Sequence, residues 1–168
     1  SDVYKRQEVL YAVAGDLEEA HETGTEWIKE RAGVEKNLAD IAITSNGGYP
    51  LDQNVYQAVK SMTAAEATVK DGGVIIVSAQ SGDGTGGDAF YQAFVDEPDT
   101  EKLYQSFLDT PKEETIADQW ESQILCRVLL KTKAVIYISD LDDDIVETFH
   151  MIPVSYTHLR AHETEADL

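Results

Sequence analysis

Gly72-Gly73-Val74-Ile75-Ile76-Val77 sets two glycines before four consecutive apolar residues, and Gly82, Gly84, Gly86 and Gly87 follow closely. An unbroken apolar run of that length, in place of alternation, marks a strand covered on both sheet faces, and such strands belong to parallel sheets. Upstream, Asp52 is placed to cap a helix from Gln53 to about Val69, which Gly72-Gly73 would break. Before it lie the loop Ser45-Asn46-Gly47-Gly48-Tyr49-Pro50 and a strand, Asp40-Ile41-Ala42-Ile43-Thr44. Further back, Glu8 to Ala14 reads as a short strand closed by Gly15-Asp16. Asp16 is a good N-cap, Glu18 and Glu19 suit the positive end of a helix, and Gly33 stops that helix after Arg31-Ala32.

Downstream, the Gly82 to Gly87 loop opens a helix over Asp88 to Val95. Helices are expected over Asp99 to Leu108 and Ala117 to about Thr132, then a strand, Ala134 to Ile138, and a last helix, Asp142 to His150. This order predicts an α/β fold: an open, mainly parallel sheet with helices on both faces, three-layered and Rossmann-like. Ligands of such sheets gather at the carboxyl ends of the strands, where both glycine loops fall.

The chain has 168 residues, enough for one ordinary domain, with 42% hydrophobic and 27% charged residues. Thirteen basic against 32 acidic residues leave a net charge of −19. That balance lacks the Lys/Arg footprint that phosphate backbones demand, so it argues against nucleic acid and against anionic membrane surfaces. No apolar run reaches the roughly 20 residues of a membrane helix. The single cysteine, Cys126, excludes an internal disulfide, fits a reducing cytoplasm and reads as a small buried hydrophobe.

Both ends look foreign to the fold. Ser1 to Gln7, and the tail from Val154 through Thr164, resemble translated sequencing-adapter strings. The expected division is therefore residues 1–7 as adapter, 8–153 as a domain truncated from a longer protein, and 154–168 as adapter. His158 and His162 have the spacing of a metal pair on one helical turn, but the tail offers no third ligand.

The most informative stretch runs from Ser45 to Lys60. On a helix Gln57 and Lys60 are three apart and Tyr56 and Lys60 four apart, so a carboxamide, an ammonium and a phenol share one face. Such a set suits a small carboxylate bearing a hydroxyl, because the ammonium supplies charge while the amide donates and accepts. Spacing alone more readily describes a solvated helical face.

The run Ser45 through Lys60, then Thr63-Ala64-Ala65-Glu66 and Gly72 to Ile76, resembles the C-terminal domain of the nickel-dependent lactate racemase family. Ala14 to His21, Gly84-Thr85-Gly86-Gly87 and Asp118-Gln119-Trp120 are similar to it as well, and the likeness covers nearly all of residues 8–150. The resemblance implies racemisation of 2-hydroxy acids by hydride transfer to and from a nickel pincer nucleotide (pyridinium-3,5-bisthiocarboxylate mononucleotide nickel). It places that cofactor, the nickel ligand and the acid-base histidines in an N-terminal catalytic domain that is not in this sequence. No catalytic or metal residue is then expected here, and the isolated fragment is expected to be inactive. The family's substrate-binding residues fall on Tyr56, Gln57, Lys60 and Trp120. The resemblance implies that Lys60 and Gln57 hold the carboxylate or oxygen of a small 2-hydroxy acid and its flat keto-acid intermediate, with Trp120 as an apolar wall. Thr85 and Asp88 depart from the polar residues expected there.

Two other readings stand beside this one: a nicotinamide-dependent dehydrogenase domain, and a non-catalytic domain binding a small acid. Gly82, Gly84 and Gly87 satisfy G-x-G-x-x-G in form. The second strand and its acid about 20 residues on are missing, since Asp96-Glu97-Pro98-Asp99-Thr100 leads into a helix. His21 lies among acids on the first helix and reads as a surface residue; His150 falls near the end of the recognisable region.

Overall fold

A computed structural model describes residues 8–155, so the string Ser1 to Gln7, the tail beyond Ser155, and His158 and His162 lie outside the described residues. The chain divides into two compact units, one up to Lys36 and one from Asn37 onward.

In the first unit, Asp16 caps the helix α1 (Leu17–Ala32), its carboxylate accepting from the Glu18 and Glu19 amides at 3.0 and 3.3 Å. The helix ends at Gly33, whose amide returns to the Lys29 carbonyl. Tyr11 stacks on Trp27 with centroids 4.9 Å apart, and the Arg31 guanidinium lies 4.3 Å above the same indole. The strand expected over Glu8 to Ala14 does not form: the segment has no regular secondary structure. Val9 and Leu10 are exposed, and an apolar run without a ladder partner has nothing to fix it as a strand.

The second unit carries β1 (Ala39–Ser45), α2 (Val55–Thr68), β2 (Val69–Ser78), α3 (Asp88–Asp96) and α4 (Thr100–Asp109). A short 3₁₀ turn at Lys112–Glu114 leads to α5 (Gln119–Lys131), β3 (Ala134–Ser139), α6 (Asp143–Thr148) and β4 (Ile152–Ser155). The strands lie in the order β1-β2-β3-β4 and every pair is parallel, with Ile43, Ile76, Ile136 and Ile152 in one row. The class is α/β: a parallel sheet flanked by helices, as expected.

The core follows the side-chain alternation of that sheet. Ala42, Ile75, Val77, Val135 and Tyr137 point to a buried face and join Val55, Val59 and Met62 of α2 and Leu125, Cys126 and Val128 of α5. A fully buried Val, Leu or Met is worth about 1.5–3 kcal/mol. Phe90 and Phe94 of α3 close the cluster against Phe149, with centroids 4.9 and 5.3 Å from it. The other face is less covered than the run Val74 to Val77 implies: Val74 and Ile76 are half-buried, and Ile41 and Ile43 are exposed.

Three further boundaries differ from expectation. The cap of α2 is Asn54, not Asp52: the helix starts two residues late, and the Asn54 Oδ1 accepts from the Gln57 amide at 2.9 Å. Gly72-Gly73 does not end that helix but lies inside β2, where the pairing shifts register between Ala39 and Ile41. A fourth strand, β4, takes in Val154 and Ser155, the first residues set apart as tail. No helix among the described residues is long and apolar enough to cross a membrane.

Candidate functional site

The first turn of α2 is tied to the second glycine loop. The amides of Val55 and Tyr56 donate to the carbonyls of Gly84 and Thr85, each at 3.1 Å. Gly86 permits this closeness: its φ is +91°, and a Cβ there would fall 2.6 Å from the Asn54 carboxamide and 2.8 Å from the Tyr56 Cβ. On the other flank the Asn46 amide nitrogen donates to the Gln57 carbonyl at 2.6 Å. Both glycine loops therefore clamp the start of α2, and Tyr56, Gln57 and Lys60 leave that helix beside the strand ends.

The three side chains meet. Lys60 Nζ donates to Gln57 Oε1 at 2.8 Å and sits 5.2 Å from the centre of the Tyr56 ring. Trp120, from the first turn of α5, sets its ring edge-on to Tyr56, with centroids 5.9 Å apart and an interplanar angle of 86°. Phe90 backs the other side of Tyr56 at 5.7 Å. The structure thus brings all four sequence-predicted residues together. Lys60 is exposed, Trp120 is 48% exposed and Tyr56 and Gln57 are half-buried, so the group forms an open face instead of an enclosed pocket. Among the described residues Lys60 makes no ion pair.

Two residues to which the sequence assigns no role stand beneath this face. The Tyr56 hydroxyl donates to Asp118 Oδ1 at 3.1 Å. Burial pushes the phenol above its ordinary range, and the neighbouring Asp118 carboxylate adds to the shift. Glu121 has no exposed surface, and neither of its carboxyl oxygens has a hydrogen-bond partner. Burial pushes its carboxyl up to about 7, against the pull of the Lys60 ammonium and with a further push from Asp118. A sequence signal for Glu121 exists: with Leu125 and Val128 it falls at the i, i+4, i+7 positions of the buried stripe of α5.

A separate cleft of about 310 Å³ opens at the carboxyl ends of β2 and β3, lined by Asp52, Ser78, Gln80, Ser139 and Asp140 among others. None of the four predicted residues lines it. Asp52 is spent there on the Gln80 amide, which donates to its Oδ2 at 3.2 Å.

The glycine pattern does not build a dinucleotide site. The Asp83 and Gly84 amides of the loop already donate to the Gln53 and Ser81 carbonyls, and α4 occupies the stretch where a second strand with its acid would stand. Among the described residues no three His, Cys, Asp or Glu side chains are grouped to hold a metal. The residues here therefore do not fit as the seat of a nickel group. His21 is exposed on α1, while His150 is held at Thr100 and edge-on to Phe94, with burial pulling its imidazole below the ordinary range. Cys126 lies fully buried in α5, its thiol pushed up to about 12 by burial, and is a packing residue.

Comparison with known proteins shows the family. Residues 34–164 match the family model described as the lactate racemase C-terminal domain. The lactate racemase of Thermoanaerobacterium thermosaccharolyticum is 46% identical over 145 residues, covering 86% of this chain and 34% of that protein. The lactate racemase of Lactiplantibacillus plantarum is 47% identical over 146 residues, with the same 86% and 34% coverage. The solved structure of the Thermoanaerobacterium thermosaccharolyticum lactate racemase apoprotein superposes with a TM-score of 0.74 at 48% identity, over 82% of this chain and 33% of that one. The chain spans about a third of the length of these relatives. It belongs to the lactate racemase C-terminal domain family.

Proposed function

We infer that residues 8–153 act as the substrate-binding C-terminal domain of a racemase of 2-hydroxy acids such as lactate. The observation that carries this reading is the Lys60 ammonium, held by the neutral Gln57 carboxamide at 2.8 Å, beside the Tyr56 ring and with no carboxylate paired to it among the described residues.

A substrate carboxylate would pair with Lys60, gaining a charge-assisted hydrogen bond. The Gln57 carboxamide, displaced from Lys60, would donate to a carboxylate or carbonyl oxygen or accept from the substrate hydroxyl, so it serves both the hydroxy acid and the planar keto acid. Tyr56 and Trp120 would supply an apolar wall that limits water at the reacting carbon. Hydride transfer to and from a nickel pincer nucleotide is the chemistry proposed for the whole enzyme. That group, with the acid-base histidines, belongs in this reading to the N-terminal domain.

The test is Lys60→Ala in the complete gene product that carries this chain. Losing a charged partner of a carboxylate costs about 3 kcal/mol, so kcat/KM for lactate racemisation should fall about 100-fold with the circular dichroism unchanged. Gln57→Ala should cost about tenfold, from one hydrogen bond. Unaltered racemisation of every 2-hydroxy acid tried with Lys60→Ala would remove Lys60 from the site.

A further inference from the structure

Glu121 is unusual among the acids of the described residues. It is the third residue of α5, its surface is wholly removed from solvent, and both carboxyl oxygens lack a partner. An ionised carboxylate in such a place is costly, so burial favours the neutral acid. The charged and titratable groups facing it are Lys60 and Tyr56 from α2 and Asp118 at the head of its own helix. Yet Lys60 does not pair with it; the ammonium rests on Gln57 instead.

We propose that Glu121 is a positioning residue that gates the anion-binding face: neutral, it leaves the Lys60 ammonium to a bound carboxylate, and ionised, it competes for that ammonium and repels the ligand. The proposal rests on the reading of Lys60 as the carboxylate partner. The Tyr56 hydroxyl is already committed to Asp118, and the Lys60 ammonium, bonded only to the neutral Gln57 carboxamide, is the cation an internal and an external acid would contest. Because burial holds the Glu121 carboxyl near 7, the change falls where small shifts in pH alter it.

The experiment has two arms, both on the complete gene product that carries this chain. In the first, NMR follows the Glu121 carboxyl carbon and the Lys60 side-chain resonances against pH, without ligand. Glu121 should inflect near 7, and Lys60 should follow it in the parent chain but stay flat in Glu121→Gln. A Glu121 that titrates in the ordinary carboxyl range, or a Lys60 inflection that survives in Glu121→Gln, overturns the gate. The Glu121 titration needs only the parent chain, so a poorly folding variant does not remove the test.

In the second arm, L-lactate and pyruvate binding is measured from pH 5.5 to 8.5. One ionisation opposing the ligand should weaken binding about tenfold across that range in the parent, and leave Glu121→Gln level. Binding that ignores pH in the parent overturns the gate alone. Binding at pH 5.5 that Lys60→Ala leaves unchanged overturns the substrate face and the gate with it.

Discussion

The Tyr56 hydroxyl donates to Asp118 Oδ1 across 3.1 Å, joining the first turn of α2 to the residue that opens α5. Asp118 makes this bond from a left-handed backbone, φ +65°, and its side chain caps none of the α5 amides. A side chain that would ordinarily serve its own helix is turned instead toward the neighbouring one. Tyr56 in turn carries Trp120 on its ring, so one hydrogen bond orients two walls of the proposed face.

Asp118→Ala should therefore lose stability. It removes the hydrogen bond from Tyr56, about 1.5–3 kcal/mol for a bond to a charged group, and keeps a β-carbon in the left-handed region that the parent already tolerates. Asp118→Gly removes the bond but relieves the backbone and should recover about 1 kcal/mol of that. Urea unfolding of the pair measures the difference; equal midpoints would deny the backbone strain. In Asp118→Asn the Tyr56 phenol, followed by ultraviolet titration, should move down toward its ordinary range. It should not reach it, because burial is the larger cause of the shift.

The Gly82 to Gly87 loop offers a matched pair of substitutions. Gly84 and Gly86 both have positive φ, +77° and +91°, but a Cβ at Gly84 meets nothing within 4 Å. Gly84→Ala should cost only the left-handed penalty, about 1 kcal/mol. Gly86→Ala adds a collision with the Asn54 cap and the Tyr56 Cβ, and should cost about 3 kcal/mol. It should also displace Tyr56, seen as a changed near-ultraviolet dichroism that Gly84→Ala does not show.

Much of the fold was readable because its signals are local. Asp16 caps α1 as its neighbours require, and the β-branched runs at Ile41 to Thr44, Val74 to Val77 and Val135 to Ile138 all lie in strands. What could not be read depends on partners distant in sequence. Val9 to Val13 has the composition of a strand but no regular secondary structure, whereas Ile152–Ser155 is four residues with a proline and pairs with β3. Pro153 is tolerated because β4 has only one neighbour in the sheet. At the site, spacing put Tyr56, Gln57 and Lys60 on one helical face, but it did not tell that face from a solvated one, and the resemblance singled them out. Asp118 reaches Tyr56 from 62 positions away, and no periodicity announces such a contact.

The two helices that carry the face are also joined at their far ends. Arg127 of α5 grips Glu66 of α2 through two hydrogen bonds, Nε to Oε1 at 2.9 Å and Nη2 to Oε2 at 2.8 Å. Glu66 is 13% exposed but Arg127 is 49% exposed, so solvent weakens the pair. Arg127→Lys keeps the charge and loses the fork, and should cost about 0.5–1 kcal/mol. A double-mutant cycle with Glu66→Gln should recover most of that as coupling energy, diminished in high salt. Coupling near zero would leave the fork without energetic weight.

Glu121 makes a prediction about stability that does not involve any ligand. Its carboxyl is held at about 7 in the folded chain against 4.5 as the reference for an unfolded one, so between those values the folded state binds the extra proton. Stability must then fall as pH rises from 4.5 to about 7 and level off above it. This is the reverse of a salt-bridged acid, whose contribution is lost on acidification. Glu121→Gln carries no proton to lose, so its stability should exceed that of the parent above pH 7 and lose the advantage toward pH 4.5. His150, whose imidazole is pulled down by burial, opposes this trend by weakening the fold at low pH, but it does so equally in both proteins. The difference between the two urea-denaturation curves across pH therefore isolates Glu121, and a difference independent of pH would mean that its buried carboxyl ionises as an exposed one does.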